Sequence, residues 1–258
     1  MIKDFLQRRK LALQIVIVLL IPVCVVAFFR LAKSPHSQIY FDEGFTAERS
    51  GYHESAIADF TAAIEYNPDD DQAFYNRGLI EAEIGDDNIA IVDFSTAIQL
   101  NPNYALAYMN RGISEFNKGN TSDAMADYAK AIQADPKLAA AYYNKGNAED
   151  TTGQHTLAMA DYTKAIELDP NSGPAYFSRG MGDMTAQDYS LAITDFTNAI
   201  QNQRYVEKAY YQRALAYHAQ NDNSDAVSDL KKVMLLEPFY AQENDVQSKI
   251  DAWSAQTR

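Results

Sequence analysis

Residues 105–138 read ALAYMNRGISEFNKGNTSDAMADYAKAIQADPKL, and the next 34 residues, 139–172, read AAAYYNKGNAEDTTGQHTLAMADYTKAIELDPNS. Laid one over the other, Tyr108 meets Tyr142 at the fourth place and Gly112 meets Gly146 at the eighth. Ala124 meets Ala158 at the twentieth place and Pro136 meets Pro170 at the thirty-second. Extending the alignment both ways yields six units in phase: 37–70, 71–104, 105–138, 139–172, 173–206 and 207–240. The fourth place continues as Tyr40, Phe74, Tyr176 and Tyr210, and the eighth as Gly44, Gly78, Gly180 and Ala214. The twentieth is Ala throughout, the twenty-fourth is Phe60, Phe94, Tyr128, Tyr162, Phe196 or Leu230, and only Arg204 interrupts the prolines. A period of this length marks an array of small supersecondary units, none able to bury its apolar face without a neighbour.

Within each unit the fourth, eighth and eleventh places share one face of a helix, and the twentieth, twenty-fourth and twenty-seventh share one face of a second. Gly51, Gly85, Gly119 and Gly153 separate the two, where a helix end favours Gly. Ser122, Thr156, Ser190, Ser224 and Asn88 stand two residues before the twentieth-place Ala and are expected to cap the second helix. The Asn-Pro and Asp-Pro steps at 67–68, 101–102, 135–136 and 169–170 discourage further helix. Small residues let two helix axes approach closely, and the aromatics fill the space around them.

This skeleton of aromatic, Gly, Ala, aromatic, Ala and Pro over 34 residues resembles the tetratricopeptide repeat family, in wording close to bacterial members. It covers about four fifths of the chain without an insertion. The resemblance implies an all-α, right-handed superhelical solenoid of six helix-turn-helix repeats. Residues 241–258 are expected to close the array as a capping helix and tail, with Val246, Ile250 and Trp253 as its apolar stripe.

The N-terminus carries a second expectation. Leu11 to Phe29 is apolar apart from Gln14 and Pro22, long enough to span a bilayer at about 1.5 Å per residue. The spacing predicts a basic cytoplasmic tail over 1–10, one transmembrane helix over 11–29 and a linker over 30–36. Length favours a retained anchor over a cleaved signal, and Pro22-Val23 before Cys24 does not fit a lipoprotein signal. Four basic residues before the span against two after it predict a single-pass membrane protein with its repeats facing outward, on the periplasmic side of a bacterial inner membrane.

Charge is distributed unevenly. Residues 1–36 hold six Lys/Arg and one acid, whereas 37–258 hold 16 Lys/Arg and 34 Asp/Glu, a net of −18. Such acidity argues against a nucleic-acid partner, since phosphates would be repelled. The one cysteine, Cys24, lies outside the repeats, which excludes thiol catalysis and cysteine-ligated metal there.

Candidate sites follow the columns. The seventh place reads Glu43, Arg77, Arg111, Lys145, Arg179, Arg213, and the twenty-third reads Asp59, Asp93, Asp127, Asp161, Asp195, Asp229. Pairing within a unit would set Glu43 against Asp59. Pairing each Asp with the next unit's base instead predicts an inter-repeat ladder of Asp59–Arg77, Asp93–Arg111, Asp127–Lys145, Asp161–Arg179 and Asp195–Arg213.

The family resemblance implies a concave groove lined by the second, fifth, sixth, ninth, twelfth and thirteenth places. Carried over, these places make Tyr75, Asn76, Met109, Asn110, Tyr143, Asn144, Phe177 and Tyr211 the candidate partner-binding residues, with Met181 and Met184 nearby. Amides one repeat apart suit an extended peptide backbone, and aromatics with methionine offer adaptable pockets. The bland reading is that the amides cap helices and the aromatics pack. A grip on a terminal carboxylate is not expected, because the equivalent places hold Phe41, Phe45, Asn76, Leu106 and Asn110.

No enzyme constellation is present. His36, His53, His155 and His218 lack metal-ligand spacing, the acidic runs lack the Gly and final Glu of a calcium loop, and there is no phosphate-cradling loop. The expectation is a membrane-anchored scaffold without catalytic residues, metal or cofactor, binding protein or peptide segments. Self-association, with Trp253 in the interface, and a role as a regulatory or targeting subunit of a membrane-associated enzyme complex stand as alternatives.

Overall fold

A computed structural model describes residues 35–203 and 205–256. Among them are fourteen α-helices and no strand. They are α1 Pro35–Arg49, α2 His53–Tyr66, α3 Asp71–Glu83, α4 Asp87–Leu100, α5 Ala105–Asn117, α6 Thr121–Ala134 and α7 Ala139–Thr151. Then come α8 His155–Leu168, α9 Gly173–Thr185, α10 Tyr189–Gln201, α11 Val206–Ala219, α12 Asn223–Leu236, α13 Pro238–Glu243 and α14 Val246–Ala255. Each 34-residue unit is thus one helix pair, as its two apolar stripes require.

The expected transmembrane span over 11–29 lies outside the described residues. Among the described residues no helix is long and apolar enough to cross a membrane. The reading as a single-pass membrane protein with outward-facing repeats is overturned on that finding.

Contacts divide the chain into two compact units, one ending at Ser114 and one beginning at Glu115. In the first, α1 packs on α2, α2 on α3 and α3 on α4. Phe60 and Phe94 from the twenty-fourth places are fully buried with Ala56, Ala63, Ala90 and Ala97. In the second unit, successive helices from α6 to α12 pack one on the next, around Tyr128, Tyr162, Phe196 and Leu230. A Cβ on Gly146 would lie 2.7 Å from Cε1 of Tyr162. The eighth place is therefore small because the twenty-fourth is large. Burying each such ring contributes roughly 1.5–3 kcal/mol.

The turn between paired helices needs a left-handed residue. Gly85 has φ +89, and in the fifth and sixth repeats Gln187 and Asn221 hold the same fifteenth place with φ 62. The second helices start earlier than their Ser and Thr residues suggest. Where a side-chain cap exists, it is the Asp that directly follows the left-handed residue: Asp86 accepts from Ile89 N, Asp188 from Leu191 N and Asp222 from Asp225 N. Ser190, Ser224 and Asn88 lie inside the first turn, as do Ser122 and Thr156, so the expectation of caps there is corrected.

The residues on either side of position 204 are both left-handed, Gln203 with φ 55 and Tyr205 with φ 52. This is the repeat without its Pro. At the C-terminus the expected single cap is two helices, broken where Asp245 turns left-handed at φ 51. Val246, Ile250 and Trp253 join Tyr211, Leu230 and Val233 in one buried cluster. Trp253 stacks on His218 with centroids 4.0 Å apart. The stripe is packing surface, as its i, i+4, i+7 spacing demands.

Candidate functional site

The charged column is the most ordered polar feature, and it departs from the expected ladder. Arg77 binds Asp93 of its own repeat through Nε at 2.8 Å and Nη2 at 2.7 Å. Arg179 forks Asp195 at 2.7 and 2.8 Å, and Arg213 forks Asp229 at the same distances. Lys145 likewise binds Asp161 of its own repeat at 2.6 Å. The guanidinium is planar and bidentate, and the helix pair places its carboxylate sixteen residues ahead. The inter-repeat Asp–Arg pairing at these positions is therefore corrected.

What crosses to the preceding repeat is the remaining donor. Nη1 of Arg77 reaches Thr61 at 3.0 Å, that of Arg111 reaches Ser95 at 3.0 Å, that of Arg179 reaches Thr163 at 3.2 Å and that of Arg213 reaches Thr197 at 2.8 Å. Each hydroxyl occupies the twenty-fifth place. The same bases sit over fourth-place rings, Arg179 5.8 Å from the Tyr176 centroid and Arg213 5.3 Å from that of Tyr210.

A second carboxylate, unremarked in the periodic reading, joins this cluster from the eleventh place: Glu81, Glu149 and Asp183 are buried. Burial pushes the Asp183 carboxyl up to about 6, with Asp195 adding to the rise and Arg179 opposing it. Glu81 is raised by burial and then by Asp86 and Asp93. The signal was available as an acidic residue on an otherwise apolar helix face.

The candidate partner residues divide by exposure. In the first unit, Tyr75 is buried with its ring 4.8 Å from Tyr104 and 5.8 Å from Phe94. Its hydroxyl accepts from Nδ2 of Asn110 at 3.0 Å, and Asn110 also donates to Leu106 O. Asn76 is buried and donates to Gln72 O of its own helix at 2.7 Å. Met109 and Asn110 are half-buried.

In the second unit, Tyr143 and Asn144 are half-buried, Tyr143 lying 6.1 Å from Tyr162. Phe177 is half-buried between Phe196 at 5.7 Å and Tyr205 at 5.4 Å. Tyr211 is buried against Tyr240, with Nζ of Lys249 5.8 Å from its centroid. The fifth-place rings thus rest on the twenty-fourth-place rings of their own repeats in three of these cases.

The second unit also holds a cleft of about 360 Å³ between α8 and α9, lined by Met159, Tyr162, Ser178, Met181, Gly182 and Thr185. Ser178, Met181 and Thr185 are the sixth, ninth and thirteenth places of the fifth repeat. Asp150, the twelfth place of the fourth repeat, stands at its rim with its carboxylate 2.5 Å from Nδ1 of His155. Gly182 lets the Met159 thioether lie against the α9 backbone at the cleft, because a Cβ there would come within 2.3 Å of Sδ of Met159. Tyr162 is fixed at the floor by donating to Asn147 Oδ1 at 2.9 Å. Thioethers, a phenol ring and small hydroxyls give the cleft a mixed apolar and hydrogen-bonding lining. Among the described residues no group of three His, Cys, Asp or Glu could hold a metal ion.

Tetratricopeptide repeat models match residues 41–91, 88–139, 139–172 and 207–240, together more than half of the chain. The chain belongs to the tetratricopeptide repeat family. Solved structures agree on the fold. PilF of Pseudomonas aeruginosa superposes with a TM-score of 0.75 at 15% identity, covering 83% of this chain and 97% of that one. MamA gives 0.58 at 26% identity, covering 65% and 92%. YrrB, a TPR protein with an unusual peptide-binding site, gives 0.59 at 23% identity, covering 72% and 97%. No curated protein sequence is significantly similar to the chain. Repeats of this family bind protein or peptide partners, and the chain is a protein-interaction scaffold in that sense.

Proposed function

We propose that this scaffold binds an extended segment of a partner protein along its first helices, seating one apolar side chain in the cleft between α8 and α9. The observation that carries the reading is the convergence of Ser178, Met181 and Thr185 with Asp150 around one opening. Met109, Asn110, Tyr143, Asn144 and Phe177 are half-buried and supply contacts. Tyr75, Asn76 and Tyr211 are buried and support their own helices from within. A structural neighbour with a peptide-binding site supports the class of ligand. The eight residues act as a recognition surface, with no catalytic step and no cofactor.

The test is affinity capture from the native host with the full chain against an Asn76→Ala, Asn110→Ala, Asn144→Ala variant and a Met181→Lys variant. Loss of the same captured proteins in both supports the reading. Capture unchanged by both refutes it.

A second reading, self-association, is favoured by one observation. Leu235 is 76% exposed and Phe239 70% exposed, beside exposed Met234 and Leu236, an apolar patch of the kind that marks an interaction surface. Light scattering of the full chain and of a Leu235→Glu, Phe239→Ser variant distinguishes the two.

A further inference from the structure

We propose that the joint between the third and fourth repeats is a flexing point built into the array. At four joints a guanidinium staples a repeat to the one before it: Arg77 to Thr61, Arg111 to Ser95, Arg179 to Thr163 and Arg213 to Thr197. At the joint between repeats three and four both halves of the staple are replaced. The twenty-fifth place of the third repeat is Ala129, with no hydroxyl, and the seventh place of the fourth is Lys145.

Lys145 spends its ammonium within its own repeat, on Asp161 and on Glu149. A lysine has three donors on a single nitrogen, whereas an arginine has a fork plus a separate Nη1 free to point elsewhere. Glu149 Oε2 is buried without a hydrogen-bond partner. The fourth repeat's cluster thus has an acceptor to spare, and its ammonium is held within the repeat by two carboxylates.

Exposure agrees with this. Thr61, Ser95, Thr163 and Thr197 are half-buried at the twenty-fifth place, and Ala129 is exposed there. The α6 and α7 helices pack on each other, but packing alone sets register less sharply, since dispersion contacts are non-directional and hydrogen bonds are not. In an array whose repeats contact only neighbours, the joint that lacks the guanidinium staple, and keeps a long bond from the Tyr142 hydroxyl to Pro136 O at 3.4 Å, is where bending concentrates. A scaffold that closes on an extended partner gains from one such place.

Pulsed electron–electron resonance on the full chain tests this, with Cys24→Ser and spin labels on cysteines placed at 123 and 167, across this joint, or at 157 and 201, across the next. The two pairs occupy equivalent places, and all four positions are exposed. The expected result is a broader distance distribution for 123/167 than for 157/201. Installing the staple with Ala129→Thr and Lys145→Arg together narrows 123/167 to the width of 157/201, and either change alone does not. Removing the staple next door, with Thr163→Ala and Arg179→Lys, broadens 157/201. Equal widths in the unmodified pairs, or a double variant no narrower than its singles, overturns the proposal.

Discussion

Arg179 grips Asp195 of its own repeat through two parallel hydrogen bonds at 2.7 and 2.8 Å, and the carboxylate is almost wholly buried, with only 4% of its side chain exposed. The fork ties the first helix of a pair to the second, and one leftover N–H ties the pair to its predecessor. Register within a repeat and register between repeats therefore hang on the same guanidinium, through different atoms.

A double-mutant cycle on Arg179 and Asp195 is expected to give a coupling of roughly 1–3 kcal/mol. The cycle on Arg179 and Asp161, the partner expected from the sequence, should give a coupling near zero. Chemical denaturation of the four proteins in each cycle decides this, and a larger value for the second cycle would restore the inter-repeat ladder.

Asp183 confers a pH dependence of definite sign. Its carboxyl holds a proton up to about pH 6 in the fold, against 3.8 for an ordinary aspartate. Between those values the folded chain binds a proton that the unfolded chain does not, so the contribution of this group to stability falls as pH rises from about 4 to about 6. Asp183→Asn should flatten that slope and raise stability at pH 7 by on the order of 1 kcal/mol. Urea midpoints of both proteins at pH 4.5 and 7 check it; a variant less stable than the parent at pH 7 would contradict it.

Gln187 and Asn221 pay for left-handed backbone at φ 62 in places where other repeats use Gly. Gln187→Gly should therefore stabilise the protein by about 0.5–1 kcal/mol, and Gly85→Ala, at φ +89, should destabilise it by about 1–2 kcal/mol. Thermal or urea denaturation monitored by circular dichroism reads both.

Trp253 is the single tryptophan of the chain and is 8% exposed against His218 and the last repeat. Trp253→Ala should cost about 3–5 kcal/mol of the stability of α11 to α14. Hydrogen exchange should rise over residues 206–256 and leave α8 unchanged. Uniform protection across the last repeat would show that the terminal helices do not shield it.

Much of the fold was legible because packing acts column by column. Gly146 and Tyr162, or Gly180 and Phe196, are large and small partners in fixed register, and a period of 34 exposes that directly. The pairing of the charges was not legible in the same way. The clash of Glu43 with Asp59 argued against pairing within a repeat, but both lie toward solvent, Glu43 exposed and Asp59 half-buried. Water screens such a pair, and the first repeat tolerates what a buried one would not.

The recognition surface was legible as a set of places and not as a shape. Asn76 and Asn110 share a column, yet one is buried on its own helix and the other holds the hydroxyl of Tyr75. In the cleft Gly182 faces Met159 from another repeat. Neither residue stands out in its column, because the close approach pairs a missing Cβ on one helix with a flexible thioether on another. The membrane reading rested on hydropathy over 11–29 and found no support among the described helices.

The central claim is that a partner segment lies along the first helices and enters the cleft between α8 and α9. Site-specific photocrosslinking tests it most directly, with benzoylphenylalanine introduced at 144, 178 or 181 and, for comparison, at the exposed second-helix positions 157 and 191. The account predicts one and the same crosslinked partner from 144, 178 and 181, mapping to neighbouring residues of a single segment, and none of it from 157 or 191. Crosslinks to that partner from 157 and 191, with none from the cleft, would contradict it.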